Sequence, residues 1–355
     1  MFPTPIPVSL LTGFLGSGKT TLLNQLIRQL PRSAIIMNEF GEIGLDHQLL
    51  QKTDGPLALL SGGCICCTVV GSLSPTLKNL FMASSRGEIP QFERVIIETT
   101  GIADPAPILD TLINERWIAA RFQLNSVVTT VDAVLGEQQL DSYFEAVKQV
   151  AVADRLLLTK TDLADQAACT ALQMRLATLN PGAPIITVQH GQVDAALILN
   201  AGLYDPSSKT SDVNKWLNAS HYRPAAATTL IGRPRAEEAV HDNRIRSFSV
   251  TFAEPLEWMG IYAALQMLLS FRAKSLLRMK AIVNLKGKDK PTVLHAVQHV
   301  LYPPAELPEW PDESRQSRFV FIVADMDADM VQHMLSEFHS AYASGQLPIP
   351  ADPAS

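Results

Sequence analysis

Eight residues near the start of the chain, Gly13-Phe14-Leu15-Gly16-Ser17-Gly18-Lys19-Thr20, constrain its fold more than any other feature. They satisfy the pattern G-x-x-x-x-G-K-[ST] at every fixed position. Glycines let backbone N–H groups curl around a polyphosphate without side-chain clash. Lys19 can reach the β- and γ-phosphate oxygens. The Thr20 hydroxyl, with Thr21 beside it, can ligate Mg²⁺, which keeps waters and substrate phosphates as its other ligands. The flanks agree with the motif. Val8-Ser9-Leu10-Leu11-Thr12 reads as a short buried strand, and Leu22, Leu23, Leu26, Ile27 and Leu30 form an apolar stripe at helical spacing. A strand, a glycine-rich loop and a helix N-terminus together make an anion site.

From residue 5 to about 200 the alternation continues. Strands are predicted at Ala34–Met37, Val95–Ile97, Val127–Val131, Arg155–Leu158 and Ile185–Val188. Helical stripes lie between them, one through Leu73, Leu77, Leu80 and Phe81. Another has Asp104 as N-cap and Pro105 at its first position, then Ile108, Leu109 and Leu112. Continuous apolar strands separated by helices imply α/β architecture: a P-loop NTPase domain, 1–204, with a mostly parallel sheet and helices on both faces. Residues 205–243 are rich in Pro, Ser, Ala and charge and read as a linker, with a short helix near Val213–Leu217. A smaller C-terminal α+β domain, 244–345, is expected to have an antiparallel sheet. Its predicted strands are Ile245–Phe252, Leu276–Leu285, Val293–Val300 and Phe319–Val323, and its predicted helices run over about 256–271 and 327–342. The Pro/Ala-rich residues 346–355 read as a frayed tail.

Composition excludes several classes of function. With 47% hydrophobic and 18% charged residues the chain suits a globular protein. A net charge of −6 and no long Lys/Arg run give it no general reason to bind nucleic acid or an anionic membrane. No apolar stretch approaches the ~20 residues that span a bilayer. The first residues lack a basic region and an apolar signal core, so a cytoplasmic location is expected. Three of the four cysteines fall within four residues, poor placement for a disulfide framework. Cys169 lies in a helical pattern and reads as a small core residue.

Three later segments complete a nucleotide site. Val95–Ile97 ends in Glu98-Thr99-Thr100-Gly101. A carboxylate there can hold Mg²⁺ through water or orient the attacking water, and the Gly101 N–H can sense a γ-phosphate. Leu156–Leu158 ends in Thr159-Lys160-Thr161-Asp162. Guanine presents two N–H donors side by side, which the single carboxylate of Asp162 can accept. Adenine offers no such pair. The Lys160 stem can lie across the ring face. G proteins usually have Asn where this chain has Thr159, which removes an amide. Asn38-Glu39-Phe40-Gly41-Glu42, with Asp46 shortly after, stands where P-loop GTPases put a first switch loop. Its carboxylates can reach Mg²⁺ or a second metal.

Gly62-Gly63-Cys64-Ile65-Cys66-Cys67 is the second strong signal. Thiolates select soft or borderline metals such as Zn²⁺ or Cu⁺. Three ligands leave a fourth position for water, another side chain or a client. No second ligand pair stands at zinc-finger spacing. Redox chemistry at the C-x-x-C pair Cys64 and Cys67, or plain packing, are the alternatives.

Together G-F-L-G-S-G-K-T, N-E-F-G-E, G-C-I-C-C, E-T-T-G and T-K-T-D resemble the CobW-type GTPases, which include the zinc-regulated GTPase metalloprotein activators. The chain is most similar to the bacterial zinc-chaperone-like branch. Leu277-Arg278-Met279-Lys280, Val297-Gln298 and Trp310 resemble that family's C-terminal domain. The resemblance implies a GTPase that binds metal at C-x-C-C and couples hydrolysis to delivery to a client metalloprotein. On it, Gly13–Thr20 hold phosphates and Mg²⁺, and Glu98 and Gly101 form the acidic strand-end motif. Lys160 and Asp162 hold guanine. Cys64, Cys66 and Cys67 hold Zn²⁺, with Glu42 as a further metal ligand and Glu39 as an additional candidate. Co²⁺, or the iron handled by the nitrile hydratase activators of the family, fits the same ligands. Three departures stand out. Met37 occupies a position where relatives often carry Glu. Thr159 replaces Asn. In place of an inter-domain His-rich tract there are only His190, His221 and His241, which argues for handling single ions over storage. Oligomeric state is left open, a homo-oligomer included. Two rival functions use the same loop: a small-molecule kinase or ATPase, and a thiol-redox scaffold regulated by nucleotide.

Overall fold

Strands that are apolar on both faces must be covered on both sides, and the first half of the chain folds on that rule. The computed structural model describes residues 4–30, 32–38, 50–51, 57–60, 65–68, 73–199, 217–225 and 244–346. The chain divides into two units, Met1–Ala177 with Ala183–Leu203, and Thr178–Gly182 with Tyr204–Ser355.

The first unit contains, in chain order, β1 (Ile6–Gly13), α1 (Lys19–Gln29), β2 (Ser33–Asn38), β3 (Leu50–Gln51), β4 (Leu57–Leu60), β5 (Ile65–Thr68), α2 (Leu73–Ser85) and β6 (Arg94–Thr99). It continues with α3 (Ala106–Asn114), α4 (Arg116–Ala119), β7 (Phe122–Asp132), α5 (Gly136–Ser142), α6 (Phe144–Ala151), β8 (Arg155–Thr159), α7 (Gln166–Leu179), β9 (Ile185–Val188) and α8 (Ala195–Leu199). The strands form one sheet in the order β3-β4-β5-β2-β6-β1-β7-β8-β9. From β5 to β9 every neighbouring pair is parallel. Successive side chains on a strand point to opposite faces. Leu11, Ile35, Ile96, Val128 and Leu157 therefore meet α1 and α8 on one face. Leu10, Ile36 and Ile97, fully buried, line the other.

Two features go beyond or differ from the sequence expectation. Residues 65–68, which contain two of the clustered cysteines, form a strand that the sequence pattern does not predict. Two antiparallel pairings, β3 with β4 and β4 with β5, extend the parallel sheet at that edge. The third helix also starts one residue late. The Asp104 carboxylate accepts the Ala106 N–H at 3.0 Å, and regular helix begins at Ala106.

The second unit is α+β. Its sheet runs β10 (Arg223–Pro224), β11 (Ile245–Phe252), β16 (Ser317–Ala324), β12 (Leu276–Val283), β13 (Thr292–Val297), β14 (Val300–Leu301), with β15 (Ala305–Glu306) on β13. All pairs are antiparallel except β10 with β11. Helices α9 (Trp258–Phe271) and α10 (Ala328–Ala343) cover the face carrying Met279, Ala281, Leu294, Phe319 and Phe321. The segment expected as one strand, Val293–Val300, breaks at Gln298, whose φ of 50° turns the chain into a hairpin. Part of the expected linker joins the sheet as β10. The short helix expected near Val213 lies mostly outside the described residues. Among the described residues no helix is long and apolar enough to cross a membrane.

Candidate functional site

The parallel sheet sends the C-terminal ends of β1, β6, β7 and β8 to one edge, and the nucleotide-motif residues gather there. Gly13, Gly16 and Gly18 have φ of 139°, 74° and 89°, values that cost glycine little and other residues much. Gly18 is the N-cap of α1 and makes no side-chain cap bond to the helix N-terminus, the end of a helix that favours an anion. The Lys19 ammonium is buried, donating to Gly13 O at 3.0 Å and Phe14 O at 3.3 Å. Ser17 Oγ and Thr130 Oγ1 are 2.7 Å apart, fixing the loop to β7. Phe14 packs against Tyr143 with ring centroids 4.6 Å apart. Leu15 and Gly16 are exposed, as is Thr21 in the first turn of α1.

Glu98 lies near the end of β6, fully buried beside Leu11 of β1, and its Oε1 accepts the Thr20 hydroxyl at 3.0 Å. A hydroxyl and a carboxylate thus meet at one point, a hard-oxygen pair of the kind Mg²⁺ takes. Three residues on, Gly101 presses against the phosphate-motif loop. A Cβ placed on it would lie 2.6 Å from Leu15 N and 2.7 Å from Leu15 Cα. Because those atoms are backbone, Gly101→Ala should push the turn away at a cost of about 1–3 kcal/mol. Urea denaturation of the variant should show that loss, and an unchanged midpoint would mean the contact is slack.

At the end of β8, the Thr159 hydroxyl is 2.8 Å from Ser17 O and 3.1 Å from Val131 O. The residue that replaces the usual Asn therefore still binds the strand end to the phosphate-motif loop. Lys160 sits at φ 56°, and its Nζ donates to Asp132 Oδ2 at 2.7 Å. Asp132 is 1% exposed. Its other oxygen accepts the N–H groups of Val134 at 2.8 Å and Leu135 at 3.3 Å. Asp162 is exposed in the turn that follows, open to a ligand.

The metal candidates are placed only in part. Cys66 and Cys67 belong to β5. Cys66 stands opposite Ile35 of β2 and Ala58 of β4, and Cys67 opposite Ile36 and Leu57. Cys64, Glu39, Glu42, Asp46 and His241 lie outside the described residues, as do the side chains of Cys66 and Cys67. Met37 is 3% exposed within the apolar cluster under α1, so no carboxylate stands at that position. His190 and His221 are exposed, and Cys169 is a buried free thiol. Among the described residues no group of three or more His, Cys, Asp or Glu could hold a metal.

Sequence reasoning missed Asp132, Thr130, Gln139 and Gln149. Gln139 Nε2 donates to Leu15 O at 3.3 Å, and Gln149 Nε2 donates to Gly101 O at 3.2 Å and Ala103 O at 3.1 Å. One signal was present: Thr129, Thr130 and Asp132 are polar residues in an otherwise buried run, and buried polar groups need a partner.

Residues 7–187 match the family model described as CobW/HypB/UreG, nucleotide-binding domain. Residues 245–339 match the cobalamin synthesis protein cobW C-terminal domain. The chain is similar to the zinc chaperone YjiA of Escherichia coli, 36% identical over 321 residues that span 90% of this chain and 94% of that one. It is also similar to zinc-regulated GTPase metalloprotein activator 1 of Schizosaccharomyces pombe, 34% identical over 199 residues, or 54% of this chain and 47% of the relative. Among solved structures, the Zn(II)-bound YjiA GTPase from E. coli aligns with a TM-score of 0.72 at 32% identity, covering 94% of this chain and 99% of that chain.

Proposed function

The chain belongs to the CobW/HypB/UreG family, and from that premise we propose that it hydrolyses GTP and couples hydrolysis to passing zinc, or a similar ion such as Co²⁺, to a client metalloprotein. Gly13–Thr20 with Thr21 and Gly101 bind the phosphates, and Thr159, Lys160 and Asp162 bind the guanine side. Thr20 and Glu98 fit Mg²⁺, which would neutralise charge on the β- and γ-phosphates. Lys19 stabilises the charge that develops on the transferred group, and buried Glu98 fixes the Thr20 hydroxyl. Cys64, Cys66 and Cys67 take the cargo ion, with Glu42 and Glu39 as further candidate ligands. A cytoplasmic setting keeps such clustered thiols reduced.

The observation that carries the proposal is a row across three strands. Thr68 of β5 stands opposite Met37 of β2, and Met37 opposite Glu98 of β6. Cys66 and Cys67 immediately precede Thr68 on that ladder. With strands ~4.8 Å apart, the cysteine strand lies about 10 Å from the carboxylate strand. Because β2 pairs with both neighbours, a change at the end of either strand bears on the same intervening strand.

Linkage requires that metal and GTP raise each other's affinity by one common factor. Titrating Zn²⁺ with and without a non-hydrolysable GTP analogue should show tighter binding with the analogue, about 5- to 150-fold. Cys66→Ala should lose most of the zinc affinity in both titrations because it removes a ligand. Equal zinc affinity with and without the analogue rules out the coupling. An unchanged Cys66→Ala titration moves the metal elsewhere.

A further inference from the structure

Two short helices behind the nucleotide-motif loops hold both of them at once. Helix α5 and helix α6 are separated by Tyr143 alone. Gln139 of α5 donates to Leu15 O, and the Tyr143 ring lies on Phe14, so this corner grips the phosphate-motif loop. From α6, Lys148 Nζ reaches Asp104 Oδ2 at 2.9 Å, and Gln149 Nε2 reaches Gly101 O and Ala103 O. Gln149 is 1% exposed, and both its contacts are carbonyl oxygens, which fixes its amide with N–H toward the turn. Thr129 Oγ1 of β7 donates to Gln149 O at 2.8 Å and anchors the grip to the sheet. The whole turn from Gly101 to Asp104 is thus held from one side by consecutive residues of α6. It is pressed on Leu15 from the other.

We propose that Gln149, assisted by Lys148, is a positioning residue that sets the preference of the site for nucleoside triphosphate over diphosphate. The inference rests on the nucleotide reading above. On that reading a third phosphate would meet the Gly101 N–H, whereas a diphosphate would end short of it. Holding the turn against the loop in advance spares the triphosphate that ordering cost. Releasing the turn transfers the cost to triphosphate binding and leaves diphosphate binding almost unaffected. A ligand shifts a conformation only by its differential affinity for the two states, and here that difference is the third phosphate.

The test uses the full-length protein with a fluorescent non-hydrolysable GTP analogue and fluorescent GDP. In Gln149→Leu, which keeps bulk and removes both donors, the ratio of analogue to GDP affinity should fall about tenfold, the worth of two ordinary hydrogen bonds. Lys148→Met, at a partly exposed position, should move the ratio the same way by about two- to threefold, and it carries the test if Gln149→Leu does not fold. Equal weakening of both nucleotides, or no change in the ratio in either variant, overturns the proposal, because a merely structural role has no means to tell them apart. Wild-type protein that bound neither nucleotide would sink the underlying reading as well. That outcome is told apart because it shows before any variant is compared.

Discussion

Lys19→Ala is expected to lower GTP turnover by about 10²–10³-fold, the usual loss when one preorganised charge-stabilising group is removed. Lys19 is 6% exposed, and its ammonium donates to the Gly13 and Phe14 carbonyls of the loop. It is the one cation of the motif, and its solvation shell is already replaced by fixed backbone dipoles. Binding a phosphate there needs little reorganisation. Alanine removes the charge and leaves the helix N-terminus, so weak nucleotide binding survives while turnover does not. Phosphate release under saturating GTP reads the effect, with zinc binding in the absence of nucleotide as the control expected to stay intact. Parental turnover in the variant would show that the hydrolytic centre lies elsewhere.

Asp162→Ala should produce the other large change. On the proposed function, two adjacent N–H groups of guanine would converge on this one carboxylate, and charge-assisted hydrogen bonds are worth about 1.5–3 kcal/mol each. Because Asp162 is solvated before the base arrives, part of that is returned. A fall in GTP affinity of about 10²-fold is the expected net. ATP affinity should hardly move, since adenine offers no such pair. A competition assay with labelled guanine nucleotide measures both. If ATP displaces the label as well as GTP does from the parental protein, the base is not read at this position.

What the sequence disclosed and what it hid divide along contact distance. The strands of the parallel sheet were readable because burial on both faces leaves an apolar run, as in Val95–Ile97 and Leu156–Leu158. The phosphate-motif loop was readable because glycine, lysine and threonine sit at fixed local spacing. Gln139 and Gln149 were opaque: each acts on a carbonyl of a segment at least 46 residues away, and a glutamine in a helix carries no local mark of that. Asp132 was hidden similarly, since its partner Lys160 is 28 positions on. Thr159 was seen only as a lost amide. Its hydroxyl keeps one donor, and the Ser17 carbonyl needs no more. The strand at residues 65–68 was obscured by its neighbours, because the glycine pair before it signals a turn more strongly than four residues signal a strand.

The strand bearing Cys66 and Cys67 is laddered on both flanks, to β2 in parallel and to β4 in antiparallel fashion. Sliding its backbone would rupture two rows of hydrogen bonds together, so on the proposed function a cargo ion would rest on a stiff floor. Its residence time would then be governed by whichever ligand arrives from outside that floor, and a competing donor on the recipient would have to displace that ligand first.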